Sequence, residues 1–556
     1  MSSYSTFFPA PLFLLKYNMR SAKEPKTEAA RRLPRVLVVG ISRYLYSNPR
    51  ALSLAVGYLK NYADARLGGK CDIKTLNLLS FNAGLAFDFV SAWKPDILAF
   101  SCYLWNSGKV RSLCRRVKKK YPRIRMILGG PEATGRKAEL LRECGADALV
   151  VGEGEAAFTE LLARHLSGRK WAGTPGVLVR SGKTFCEGPS RPVMPDLNVI
   201  PSPFRDAASS LGVRAGSKRF FPYETMRGCP NKCTYCVWTE LNAKRLRYFS
   251  YKRIESDLKR IVENTPSSFI FVSDSDTFLN HERAMRLAPL FHAAAGPGGC
   301  YVIFQTNLNH WREELMRAWN NENFEMNVGV NSVNPAVQKI LGRSYPKSLV
   351  EEKLALMHRV APKTRITMQL MHAAPGETFR DFCEAFDWAW RQPVTYRLFF
   401  HTQPLHGTQM RDKAGELGIK CRKNPPYNIT STRECAAAGI RTESLMILFS
   451  TVWMSTPRSR NMYRAIAVSS CGGSLSGAFL KIWDGMSPGV RAFGLKTLKR
   501  FTGGSDWFLD DFELDMMRCY ITPGAGPFIK AAHAALLAAY GGQGVIKGKA
   551  GRREAV

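Results

Sequence analysis

The chain has 556 residues, 45% of them hydrophobic and 22% charged, with 80 Lys and Arg against 45 Asp and Glu and a formal net charge of +35. That length exceeds one ordinary domain, so about two or three are expected, and the composition excludes disordered and fibrous classes. The fourteen cysteines are too thinly spread for a disulfide scaffold and predict a reducing, cytoplasmic setting.

The excess of basic residues admits a nucleic-acid partner. It does not favour one, because the residues are spread along the chain and the densest run, 109–125, reads as one helix face. An acidic substrate or a plain solvated surface accounts for the charge equally well. Residues 1–33 read as an N-terminal arm. Its apolar run 7–15 is short, holds Pro9 and Pro11 and lacks a basic stretch before it, so no signal peptide or membrane span is expected.

Residues 34–165 alternate strand and helix. Apolar runs at 35–40, 72–77, 95–101, 125–130 and 148–152 predict strands, and 51–61 and 110–120 predict helices. Continuous apolar strands between helices predict a doubly wound, Rossmann-like parallel sheet covered on both faces. Ligands of such sheets sit beyond the carboxyl ends of the strands. Here those ends are polar or glycine-rich: Ser101-Cys-Tyr103-Leu-Trp, Gly129-Gly130-Pro131-Glu132 and Gly152-Glu-Gly154-Glu155. Residues 166–220 read as a hairpin and a proline-rich linker.

The segment Gly228-Cys229-Pro-Asn-Lys-Cys233-Thr-Tyr235-Cys236 opens the second half. Three thiolates in a short loop can hold three corners of a cubane iron–sulfur cluster and leave one iron open. A zinc knuckle would need a fourth Cys or His at finger spacing, which is missing. Strands are expected at 268–274, 302–306, 325–332, 365–371 and 396–403, each ending in polar residues, so residues 221–412 read as a partial βα barrel with one shared cavity. Residues 413–556 read as a helical region, with helices at 436–453, 462–468, 490–501 and 527–540, and a basic tail from 541.

The cysteine loop resembles that of the radical S-adenosylmethionine (SAM) enzymes, whose hallmark is C-x3-C-x-φ-C. Gly329-Val-Asn331-Ser332, Ala374-Pro-Gly-Glu377-Thr and His406-Gly-Thr408 are similar to further motifs of that barrel, with Asn for Gln at 331 and His for Pro at 406. The strand-end loops of the N-terminal half resemble the cobalamin-binding domain of the cobalamin-dependent branch. The D-x-H-x-x-G motif is absent and the first histidine of the chain is His165, so no histidine of these loops can ligate cobalt. A competing resemblance, to the tRNA methylthiotransferases, would need N-terminal cysteines for a second cluster; Cys71, Cys102 and Cys114 do not sit in the loops that family uses.

The resemblance implies three cofactors: a 4Fe-4S cluster on Cys229, Cys233 and Cys236, SAM, and cobalamin. It implies SAM contacts from Tyr235, Asp274, Asn331, Ser332 and Glu377, with loop capping as the alternative for Asp274. It implies cobalamin contacts from Ser101, Tyr103, Gly129, Gly130, Pro131, Glu132, Gly152, Gly154 and Glu155. The expected reaction is C-methylation of an unactivated carbon through a 5′-deoxyadenosyl radical and methylcobalamin. A radical cyclisation or rearrangement and an RNA modification are the alternatives. The expected partners are a small-molecule or peptide substrate and a reductant such as flavodoxin or ferredoxin. The helical region 413–556 would cap the barrel.

Overall fold

The computed structural model describes residues 32–42, 50–51, 53–79, 84–204, 219–238, 245–503 and 525–541. The arm up to residue 31, most of the loop 42–49 and the tail after 541 lie outside the described residues.

The first half contains β1 (Arg35–Ser42), β2 (Arg50–Ala51), β3 (Asp72–Leu79), β4 (Ile97–Ser101), β5 (Arg125–Gly129), β6 (Ala148–Val150), β7 (Val177–Ser181) and β8 (Thr184–Glu187). All but β2 form one sheet in the order β3-β1-β4-β5-β6-β7-β8. The pairs from β3 to β6 are parallel, while the β7–β8 hairpin joins antiparallel at β6. Side chains alternate across a strand, and β1 shows why both faces are apolar. Val36 and Val38 pack with Val56 and Ala63 of helix Leu54–Leu67 and with Phe158 and Leu161 of helix Glu155–Leu166. Leu37 and Val39 pack with Val90 of Leu85–Trp93, with Val110, Leu113 and Val117 of Ser107–Lys120, and with Leu140 of Ala138–Cys144. Cys71, Cys102 and Cys114 are buried in this core.

The expected helix at 51–61 starts later, at Leu54. Residues Arg50 and Ala51 leave the first sheet and pair with Arg219 and Phe220. Ser53 then donates its backbone N–H to Asn77 Oδ1 at 3.0 Å, returning the chain to the first domain.

The second half contains β9 (Arg219–Tyr223), β10 (Met226–Arg227), β11 (Arg247–Tyr248), β12 (Phe269–Val272), β13 (Tyr301–Thr306), β14 (Phe324–Asn331), β15 (Arg365–His372) and β16 (Tyr396–His401). The sheet order is β16-β15-β14-β13-β12-β9-β2, and every pair is parallel. β10 and β11 form a separate antiparallel ribbon. Helices connect successive strands, which keeps all the carboxyl ends on one side. The connecting helix Phe379–Arg391 is typical in its construction. Thr378 and Asp381 close a capping box, and Phe382, Phe386 and Ala389 face inward.

The C-terminal region is helical: Ala437–Trp453, Pro457–Cys471, Leu475–Gly485, Pro488–Gly503 and Ala525–Gly541. It docks on the outer barrel helix. Asp387 accepts from Ser474 Oγ at 2.7 Å and from the Ser476 backbone N–H at 2.8 Å. No single described helix is long and apolar enough to cross a membrane. Pro457–Cys471 and Leu475–Gly485 together have the composition but meet at 93°.

Candidate active site

The cysteine loop is fixed at both ends. Before it, the buried Asp274, just beyond β12, accepts from Thr225 N at 2.7 Å, Thr225 Oγ1 at 2.5 Å and Met226 N at 3.2 Å. Burial pushes the Asp274 carboxyl up to about 6, against the hydrogen bonds it accepts. Gly228 has φ +108°, and a Cβ there would lie 2.4 Å from the Arg245 carbonyl oxygen, so only glycine fits. Ser275 Oγ donates to Gly228 O at 2.7 Å. After the first two cysteines, the Thr234 backbone N–H donates to Leu341 O at 3.1 Å, and Met410 N donates to Thr234 O at 2.9 Å. Cys233 is buried, and Cys229 and Cys236 are half-buried.

Among the described residues, no three His, Cys, Asp or Glu side chains gather around a single ion. The three thiols lie in one short loop, Cys229 to Cys236. They fit a group that spreads its ligands over several irons. Two N–H donors face the sulfurs: Asn231 Nδ2 lies 3.6 Å from Cys229 Sγ, and Arg343 Nη1 lies 3.6 Å from Cys233 Sγ. Such donors stabilise negative charge on sulfur ligands.

Beside this loop lies a cavity of about 310 Å³, lined by Tyr235, Ser275, Thr306, Asn331, Arg343, Gln369 and His401 among others. It gathers the carboxyl ends of five neighbouring strands, β12 to β16. Asn331 sits at φ +65°, where the ladder between β14 and β15 shifts register. Asparagine tolerates this left-handed conformation. Its Nδ2 donates to Tyr235 Oη at 2.9 Å and to Gly329 O at 3.1 Å. The wall thus brings together Tyr235 and Asn331.

Arg343 is one of the cavity residues that sequence reasoning did not single out. Its Nη2 donates to Tyr345 Oη at 3.0 Å, and that hydroxyl donates to Asn307 Oδ1 at 2.6 Å, so the guanidinium is held in place. The signal for it was Gly342, which turns the chain at φ +67° against the Lys232 carbonyl oxygen. His401 donates Nε2–H to Ile429 O at 2.7 Å. Burial, and then the neighbouring His372, hold its pKa well below the usual histidine range, so it is neutral.

Three other residues named from the sequence are not among those lining the cavity. Asp274 braces Thr225 and Met226 as described. Ser332 Oγ accepts from the Asn334 backbone N–H at 3.1 Å, and its carbonyl accepts from Gln338 Nε2 at 2.8 Å. Glu377 is fully buried, and its Oε2 has no partner among the described residues. Nearby, Glu443 accepts from Ala373 N at 3.0 Å and from His372 Nδ1 at 3.2 Å. Burial, then Glu443 and Asp381, raise the Glu377 carboxyl well above the ordinary range. A raised carboxyl favours the folded state at low pH, and that stability is lost as pH rises from the ordinary carboxylate range through the raised value. Glu377→Gln is therefore expected to flatten the alkaline side of the stability–pH curve, read by thermal unfolding between pH 5 and pH 9 (about two units either side of neutrality). An unchanged curve would show that Glu377 does not titrate in that window.

The strand ends of the first sheet hold the other named residues. Tyr103 stacks on Trp105 with centroids 4.4 Å apart and planes at 12°. Ser101 is buried. Gly130 has φ +97°, and its missing Cβ would lie 2.6 Å from Cys102 O. Gly152 has φ +78°, and its Cβ position faces open space, which leaves room for a ligand's approach. Gly129 and Gly154 flank these turns, and Pro131 starts the helix Pro131–Arg136. Glu132 and Glu155, the two carboxylates of these loops named from the sequence, are turned to the second half of the molecule. Glu132 Oε1 accepts from Tyr427 Oη at 2.5 Å. Glu155 Oε1 accepts from Arg227 Nη2 at 2.7 Å. Gly135 also sits under the His406 carbonyl, where a Cβ would approach to 2.3 Å.

Residues 73–162 match the B12 binding domain, and residues 223–389 match the radical SAM superfamily. The cobalamin-dependent radical SAM methyltransferase TokK of Streptomyces tokunonensis is 28% identical over 368 residues, which are 64% of this chain and 53% of that protein. The 2-(S-pantetheinyl)-carbapenam-3-carboxylate methyltransferase of Streptantibioticus cattleyicolor is 30% identical over 314 residues, which are 54% of this chain and 44% of that protein. The chain thus spans about half the length of these relatives. The cobalamin-dependent SAM radical enzyme OxsB, solved with aqua-cobalamin and SAM, shares the fold at TM-score 0.60 and 13% identity, over 93% of this chain and 84% of that one. A B12-binding sheet followed by a radical SAM barrel defines the class. The chain carries a B12-binding domain and a radical SAM domain and is similar to cobalamin-dependent radical SAM methyltransferases.

Proposed function

We propose that this chain is a C-methyltransferase acting on an unactivated carbon of a small-molecule or peptide substrate. The observation that carries the proposal is the direct ion pair between the two sites: Glu155, in the glycine-rich loop of the B12 domain, binds Arg227, two residues before Cys229. When bound, the cluster with SAM supplies hydrogen abstraction and cobalamin supplies the methyl group.

Cys229, Cys233 and Cys236 would hold the cluster. Arg343 and Asn231 would donate to the sulfur ligands. Tyr235 and Asn331, already joined at 2.9 Å, would form the SAM wall, with Arg343 facing the SAM carboxylate. Asp274 and Ser332 would act behind that wall, as braces, and the buried Glu377 lies outside it. Ser101, Tyr103, Gly129, Gly130, Pro131, Gly152 and Gly154 would receive cobalamin, while Glu132 and Glu155 would hold the two domains together. Gln369 and the neutral His401 line the far wall, where a substrate would meet uncharged hydrogen-bonding groups. A half-buried, partly apolar wall would limit the access of water that quenches a radical. The reductant would be a small cytoplasmic flavodoxin or ferredoxin, and nucleic acid is not favoured as a partner.

The test uses protein purified anaerobically and reconstituted with iron, sulfide and hydroxocobalamin. About four irons per chain, as one cubane cluster requires, together with bound cobalamin and release of both 5′-deoxyadenosine and S-adenosylhomocysteine with SAM and reductant, are expected. 5′-Deoxyadenosine without S-adenosylhomocysteine would replace methyl transfer by a radical rearrangement. Iron without cobalamin would remove the proposal.

A further inference from the structure

The contact between the two cofactor loops is more than one ion pair. The ribbon β10–β11 places Arg227 opposite Arg247. Both guanidinium groups reach Glu153 of the Gly152–Glu155 loop. Arg247 Nη2 lies 2.7 Å from Glu153 Oε1, and Arg227 Nη1 lies 3.7 Å from it. Arg227 also holds Glu155 at 2.7 Å and Glu224 at 2.8 Å, and it lies over the ring of Tyr58, in the helix Leu54–Leu67 of the first domain, at 5.4 Å. Arg247 Nη1 donates to Met194 O at 2.9 Å, tying in the linker as well.

These groups are largely out of water. The side chains of Arg227 and Arg247 are 10% and 2% exposed. Charge-assisted, forked contacts in such surroundings are short and directional. Neither loop can shift by the length of a hydrogen bond without separating buried opposite charges. The ribbon strand β10 also runs into Gly228 and Cys229 without an intervening residue, so displacement of Arg227 is displacement of the cluster loop.

We propose that Arg227 and Arg247 are positioning residues that make the cobalamin loop and the cluster loop one unit, so that cobalamin on the first raises SAM affinity at the second. This rests on the cofactor assignment proposed above. A loop already ordered by one ligand leaves less to be ordered by the other, which makes the two affinities mutually dependent. Linkage requires the effect to be reciprocal: SAM must raise cobalamin affinity by the same factor.

The test is a thermodynamic cycle on the cluster-loaded full chain, with SAM titrated calorimetrically in the presence and absence of hydroxocobalamin. In the wild type, cobalamin is expected to tighten SAM by about fivefold or more. Arg227→Lys and Arg247→Lys keep the charge but lose the fork, and are expected to bring that factor to about one while each cofactor alone still binds. A merely structural residue would weaken both single affinities and leave the factor unchanged. A wild-type factor near one, or a factor retained in both lysine variants, would overturn the coupling and leave the function standing. A wild type that binds SAM but no cobalamin would overturn both, and is recognised by its visible spectrum.

Discussion

Cys233→Ala is expected to yield a folded protein that carries no 4Fe-4S cluster and releases 5′-deoxyadenosine at background, and Cys229→Ala and Cys236→Ala should do the same. The three substitutions should be equally severe although the side chains differ in exposure, with Cys233 buried and the others half-buried. The cause lies in the ligand count. One corner of the cubane is already left to SAM, so a further loss leaves the cluster on two thiolates. The fold should survive, because the loop is also held by backbone hydrogen bonds from Thr234 to Leu341 and from Met410 to Thr234. Cys300→Ala is the matched control. Cys300 is fully buried, but it precedes β13 and lies outside the loop. That substitution should cost about 1 kcal/mol of stability, near the lower end for truncated core side chains, and keep its iron. Iron content, the visible spectrum and 5′-deoxyadenosine release distinguish these outcomes. A Cys233→Ala protein that kept both iron and SAM cleavage would show that the loop is not the cluster site.

The parts of this molecule that were legible in the sequence are those whose cause is local. The run at 35–40 predicts a strand buried on both faces, and its alternate residues do divide between two helical layers. The glycines at 130 and 152 mark turns, and both adopt positive φ. The cysteine spacing carries the candidate site because all its ligands lie in one short loop. What was not legible depends on distant partners. β2 has two residues and no periodicity, so nothing predicts that it crosses to the edge of the second sheet. Glu132 and Glu155 stand in strand-end loops, where a ligand contact is the natural reading. Their partners, Tyr427 and Arg227, are 295 and 72 residues away in sequence. The motif around Glu377 is visible, but the helix that supplies Glu443 beside it begins only at Ala437 and closes against His372 in three dimensions. Arg343 was hidden for the opposite reason. Beside this one basic residue among 80 Lys and Arg, Gly342 marks a turn but not a function, until folding brings the guanidinium to Cys233 and to the cavity at once.

That placement makes Arg343 the residue outside the cysteine loop whose loss should be felt most. Arg343→Gln is expected to weaken SAM binding by about 1.5–3 kcal/mol, the range for a hydrogen bond to a charged group, which is roughly a 10- to 100-fold rise in Kd. It should also make the cluster harder to reduce. Reduction adds negative charge, and a guanidinium 3.6 Å from Cys233 Sγ stabilises the reduced form, so its removal moves the potential in the negative direction. Arg343→Lys keeps a charge without the fork that bonds Tyr345, and should fall between the two for affinity while restoring most of the potential. Tyr345→Phe separates positioning from charge. It removes the hydroxyl that receives Arg343 Nη2 and donates to Asn307, but it leaves the cation in the cavity, so SAM affinity should fall by less and the potential should stay near that of the wild type. Calorimetric titration of SAM and a redox titration followed by electron paramagnetic resonance read the two quantities independently. If Arg343→Gln bound SAM like the wild type but shifted the potential, the residue would serve the sulfur alone; if neither changed, its two contacts would be packing. A fall in both, with Tyr345→Phe intermediate for affinity only, is what a single cation shared between a cluster ligand and a carboxylate must produce.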